Sequence, residues 1–315
     1  MRVTNKMMAD SVLNTVNVNL KQLSKLQQQM ASAKIINRPS DNPIGTARLL
    51  SAQSELRVQE QHQRNMQDAA GWLETTDGAL ARLNDVLQRI RELAVNGANA
   101  SLPKQSMEAL ADEVNQLAEE LVQIGNTSYA GRYIFGGTQT TRMPFAITST
   151  AGEKVTEVSF LNNAADVANL DEIYKFEIDI EPGTKINVSS GLQSFHTNSK
   201  GEKEINAVFD TIMLLRKNLE EGNSSEVTVR IEEIDGLIDN VLSERAIVGA
   251  RSKRVETAQT RITLYNLNLT DLIGRLEDLD YAEATIHFKT QQVVYQAALE
   301  TGARLIQPNL MDYLK

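Results

Sequence analysis

The sequence predicts a mainly α protein: an elongated antiparallel helical bundle or coiled coil, with amphipathic terminal helices and a small inserted β-rich domain. Three observations carry this prediction. Apolar residues recur at steps of three and four over most of the chain, which is the pattern of helices with one buried face. Proline is scarce, with none from Gly183 to Gln307, so very long helices can run unbroken. Glycine and threonine rise over 129–145, and from about 139 to 199 the apolar period changes to two, as in short strands. Composition agrees, because 41% of residues are hydrophobic but only 5% aromatic, and Leu, Ile, Val and Ala suit helix seams.

Residues 8–34 read as a first amphipathic helix, with Leu13, Val16, Leu20, Leu23, Leu26 and Met30 on its stripe. Asn14, Asn17 and Asn19 weaken it, so it is expected to order only against a partner. The bend INRPSDNP then redirects the chain. Pro39 and Pro43 keep Arg38 and Asn42 out of helical angles, and Ser40, Asp41 and Asn42 can accept free backbone N–H groups. A second helix is expected from Pro43–Ile44 to about Ala98, since proline is tolerated in a first turn. Its stripe is Met66, Ala70, Leu73, Asp77, Leu80, Leu87, Ile90 and Ala94. A third helix is expected near 103–128.

Within the insert, TEVSF (156–160), YKFEIDI (174–180) and TKINVSS (184–190) alternate as strands, and Pro182–Gly183 reads as a tight turn. Helix resumes near Lys203 and pauses at Gly222. From Leu237 to Leu279 apolar residues then follow four-three steps, broken only by Glu244 and Arg251. A last, weaker helix over 282–306 carries Ala282, Ile286, Val293, Ala297 and Leu299, and Pro308 and Leu310 follow it. The expected organisation is a terminal helix and bend (1–43), two bundle halves (44–138 and 203–281) flanking the insert (139–202), and a C-terminal helix (282–315). Two underpowered amphipathic helices at opposite ends of a chain suit polymerisation, with the missing packing supplied by other subunits.

Several function classes are disfavoured. The net charge of −9 makes nucleic acid a poor main partner. Residues 1–36 nevertheless carry five cations against Asp10, a local +4. With no cysteine, disulfides and thiol catalysis are excluded. The start has no continuous apolar core and no run reaches membrane-span length, so neither a cleaved signal nor membrane insertion is expected. His62, His196 and His287 are far apart in sequence, and Gly136–Gly137 opens no phosphate loop. The acidic cluster Asp171, Glu172, Glu177, Asp179 and Glu181 reads as a solvated strand edge. No catalytic residue, cofactor or metal site is expected.

Several stretches, in order, resemble the flagellin family: MRVTNKMM at the start, INRPSDNPIGTA, RNMQDAAGWLETTDGAL (64–80), LQRIRELAVNGAN (87–99), GRYIFGGTQT (131–140) and DLDYAEATIHF (278–288). The double-proline bend, GRYIFGGTQT and the YLK ending are similar to the branch found at the hook–filament junction. Filament-forming members carry a proline-poor RINRAADDAAG form at the bend.

The resemblance implies a secreted, non-enzymatic subunit of the bacterial flagellum at the hook–filament junction. It would self-assemble into a ring-like or helical layer, with hook-associated protein 1 below and flagellin, or the filament cap during assembly, above. Export through the flagellar type III apparatus, with a chaperone on the C-terminal segment, is part of the same expectation. The assembly surface would comprise Leu13, Val16, Leu20, Leu23, Leu26, Met30, Ile286, Val293, Ala297 and Leu310. Arg38, Pro39, Ser40, Asp41, Asn42 and Pro43 would form the junction bend, and residues 139–199 would project outward. A filament-forming flagellin is the alternative within the family, and a cytoplasmic coiled-coil scaffold the alternative outside it.

Overall fold

The computed structural model describes residues 5–151, 154–161, 176–201 and 206–306. The described helices are α1 (Asn5–Ser32), α2 (Pro43–Gly97), α3 (Lys104–Gly125), α4 (Ala207–Glu221), α5 (Ser224–Glu277) and α6 (Tyr281–Ile306). Between α3 and α4 lie three antiparallel strand pairs: β1 (Ser128–Tyr129) with β2 (Arg132–Tyr133), β3 (Phe145–Ala151) with β4 (Lys154–Phe160), and β5 (Glu177–Glu181) with β6 (Thr184–Asn187). The mainly α class and the β-rich insert therefore stand. The expected helix onset at Lys203, strand residues 174–175, Asp171, Glu172, Pro308 and Leu310 lie outside the described residues.

The chain forms two compact units, one of Met1–Val58 with Leu264–Lys315 and one of Gln59–Thr263. The second holds a single contiguous apolar core. Met66, Leu73, Leu80, Leu87 and Ile90 of α2 join Val114 and Leu121 of α3, Phe209 and Leu215 of α4, and Val241, Val248 and Val255 of α5. Asp77, the polar break in the α2 stripe, is explained by Arg245 of α5, whose Nε donates to it at 3.1 Å. Trp72 is a packing residue, 5.2 Å from Phe176 and 6.2 Å from Tyr129 between ring centroids.

The strand pairs share this core. Phe145, Val158, Ile180, Ile186 and Phe195 are buried in it. The β5–β6 turn uses Gly183 at φ 76°, as the Pro-Gly pair predicts. Asn65 of α2 donates to the Asp179 carbonyl at 2.9 Å, Arg251 of α5 donates to the Asn187 carbonyl at 2.9 Å, and Arg261 pairs with Glu181. The β5–β6 hairpin is thus strapped along α2 and α5 instead of standing clear of them.

Two buried polar residues, Glu244 on the α5 seam and His196 in the insert, behave differently from their apolar neighbours. Glu244 is buried between Val241 and Val248, and its Oε2 has no hydrogen-bond partner. Burial pushes its carboxyl up to about 7, with Arg251 one heptad on drawing it partly back. His196 is fully buried beside Phe145 and Phe160, and its Nδ1 accepts the Asn206 N–H at 3.1 Å. Burial holds that imidazole down to about 3.

Candidate assembly surface

In the first unit, α1 and α6 pack on one another in antiparallel fashion. Tyr281 Oη donates to the Met30 carbonyl at 2.9 Å near one end. Gln291 Nε2 donates to Asn19 Oδ1 at 3.1 Å in the middle. Gly302 lies against Val12 at the other end. The half-buried positions of α1 facing this pair are Val12, Val16, Asn19, Leu23, Leu26 and Met30, spaced four and three apart. On α6 the matching positions are Ala284, Phe288, Gln291, Tyr295, Ala298 and Gly302.

The predicted stripe residues therefore divide. Val16, Leu23, Leu26 and Met30 line the α1–α6 seam. Leu13 and Leu20 do not: they are 52% and 46% exposed and fall outside it. Ile286 and Val293 are 66% and 64% exposed, and Ala297 is exposed too. The physical reason is that a seam between two slender helices admits small and polar residues beside its apolar ones, here Asn19, Gln291, Ala298 and Gly302. A reading by hydrophobicity passes over these and picks apolar side chains one or two positions away. The same shift occurs late in α5, where Ile262 and Leu269 are buried but Tyr265 and Leu272 are exposed. Tyr265 Oη bonds Glu55 Oε1 at 2.8 Å instead.

The first crossover, 33–42, joins α1 to α2. Ser32 ends α1, Ala33 takes φ 60°, and Lys34 N–H returns to the Gln29 carbonyl at 3.3 Å, a Schellman-type closure. Asp41 accepts the Arg38 N–H at 3.1 Å and pairs with Lys25 of α1 at 3.0 Å. The Lys25 hydrogen bond leads the causes that hold the Asp41 carboxyl below the usual carboxylate range. Asn42 caps α2 by accepting the Gly45 N–H at 2.9 Å, and Pro43 is the first helical residue. Gly45 is needed there, because a Cβ would meet the Asn42 side chain at 2.7 Å and Ile36 at 2.9 Å.

The second crossover, 278–280, carries its own start signal for α6. Asp280 and Glu283 have the spacing of a capping box. Asp280 Oδ1 accepts the N–H groups of Ala282 and Glu283 at 2.9 and 3.2 Å, which starts α6. The two crossovers meet as an antiparallel bridge between Lys34 and Asp278.

Among the described residues no group of His, Asp and Glu could hold a metal ion, and no helix is long and apolar enough to cross a membrane. His287 sits near Glu283 at 3.4 Å on the exposed face of α6, while His62 and His196 lie in the second unit.

The sequence matches two family models. The bacterial flagellin N-terminal helical region matches residues 3–140, and the C-terminal helical region matches residues 231–314. The chain is 24% identical to the flagellin of Bacillus subtilis, over 98% of this chain and 96% of that one. It is also 24% identical to flagellar hook-associated protein 3 of Salmonella typhimurium, over 98% of this chain and all of that one. Among solved structures, hook-associated protein 3 of Legionella pneumophila superposes with a TM-score of 0.57 at 14% identity, over 71% of this chain and 98% of that one. FlgL of Bacillus cereus gives 0.55 at 20% identity, over 71% and 99%.

Proposed function

The chain belongs to the bacterial flagellin family, a family of structural flagellar components, and from this we propose that it is a non-enzymatic adaptor assembled at the hook–filament junction. One observation carries the reading. The terminal pair spends Asn19, Gln291 and Gly302 on its own seam while Leu13, Leu20, Ile286 and Val293 face outward. Apolar side chains turned outward on both helices of a thin pair gain burial only against other chains, at roughly 25 cal/mol per Å². The partners that fit are further copies of the chain in a layer, hook-associated protein 1 on one side, and flagellin or the filament cap on the other. Export would take the chain out unfolded, with a chaperone holding the C-terminal amphipathic segment, Leu310 included.

Removing the gene and viewing the cells tests this. The adaptor reading predicts hooks without filaments and flagellin shed into the medium. Normal filaments would contradict it. The equal identity to a filament flagellin supports a second reading, in which the chain itself builds filaments. Long filaments grown from the purified protein alone would favour that reading.

A further inference from the structure

Both crossovers of the first unit, 33–42 and 278–280, meet at Glu277, whose buried carboxylate holds the first. Glu277, the last residue of α5, is 7% exposed. One of its oxygens receives Lys34 Nζ from the first crossover, and Oε2 receives Gln53 Nε2 of α2 at 3.1 Å. Its backbone carbonyl accepts the Ile35 N–H at 2.7 Å. Two residues on, Leu279 N–H donates to the Ala33 carbonyl at 3.0 Å. Ala33 holds a left-handed conformation that a residue with a Cβ seldom adopts, and it persists where neighbouring bonds determine it.

We infer that Glu277 is a positioning residue, a latch that binds the two crossovers into one joint so that α1 and α6 order and loosen together. The inference rests on the assembly reading for its biological consequence only. Three chain segments share this one residue. Removing its charge breaks the ion pair with Lys34 and weakens the backbone bridge beside it, so both crossovers loosen at once. If each crossover were instead held by its own turn, the Asp41 and Asn42 bonds would hold the first and the Asp280 cap the second, and changing Glu277 would leave the α1–α6 pair as protected as before.

Amide exchange on the full chain tests this in Lys34→Met, Glu277→Gln and the double variant. Each single change is expected to speed exchange in α1 and α6 by similar factors, roughly tenfold or more. Peptides spanning Met66–Ala94 should keep their protection. The double variant should be no faster than Glu277→Gln, because both changes break one contact. Loosening of one helix only, no loosening, or additive effects would overturn the inference. Should Glu277→Gln also loosen the core, Lys34→Met decides, because that lysine is half exposed and its removal opens no cavity. Flagellar attachment in the same variants separates the two ideas. Coupled loosening with normal attachment keeps the latch and contradicts the assembly reading. Independent loosening with attachment lost does the reverse.

Discussion

Gly302 of α6 lies directly against Val12 of α1, close enough that a Cβ on the glycine would come within 2.6 Å of Val12 Cγ1. The two terminal helices touch through this glycine, and a larger residue must push them apart. Gly302→Ala gains about 1 kcal/mol of helix propensity but overpacks the contact at a cost of about 1–3 kcal/mol. The expected net result is a looser pair. Val12→Ala should rescue it, and thermal melts of the single and double variants followed by circular dichroism would read the coupling.

Leu20→Asp and Val293→Asp should leave both compact units folded and abolish attachment. Each side chain points away from the α1–α6 seam, at 46% and 64% exposure. An unchanged circular dichroism spectrum with non-motile cells is the expected pair of results.

Leu87→Ala should act in the opposite sense. That side chain is fully buried in the core of the second unit, so its truncation should cost about 2–5 kcal/mol in urea unfolding. Attachment should fall only as far as the folded fraction falls.

Glu244 sets a pH dependence. Its folded carboxyl is raised by burial to about 7 from an ordinary 4.5, so the folded state binds the proton more tightly than the unfolded chain. The stability it supports is full below about pH 4.5 and is lost as pH rises through 7, a loss of about 3 kcal/mol. Glu244→Gln should therefore be more stable than wild type at about pH 8, with the advantage shrinking towards pH 4.5. Urea midpoints across that range would check it.

His196 gives the opposite slope. Burial lowers its imidazole to about 3 from 6.5, so its contribution is present above about pH 6.5 and is lost as pH falls towards 3. His196→Phe should flatten that acid limb while giving up the bond from the Asn206 N–H. Acid titration of near-ultraviolet circular dichroism would follow both changes.

Periodicity made the helices legible to within a few residues. The proline bend was legible because its chemistry is local: a proline fixes its own φ, and Asp41 and Asn42 bond to residues three away. The seam of the terminal pair was legible only in part: Val16, Leu23, Leu26 and Met30 of the α1 stripe lie in it, but which face of a slender helix meets its neighbour depends on the neighbour. Leu13 and Leu20 were read as stripe residues, yet Val12 and Asn19 beside them occupy the seam. The Glu277 clasp is equally hidden in one dimension, since Lys34, Gln53 and Glu277 come together only after α2 and α5 have formed. The strapping of β5–β6 onto α2 and α5 depends on backbone carbonyls at Asp179 and Asn187, whose positions no side-chain pattern reveals.

An adaptor subunit must have the outward apolar residues of α1 and α6 covered in the assembled flagellum. The chain has no native cysteine, so Leu20→Cys and Val293→Cys each supply a single thiol. Maleimide labelling of these thiols, in the free subunit and in intact flagella, is the most direct measurement. Rapid labelling in the free subunit and strong protection in flagella is the predicted result; equal, rapid labelling in both would contradict it.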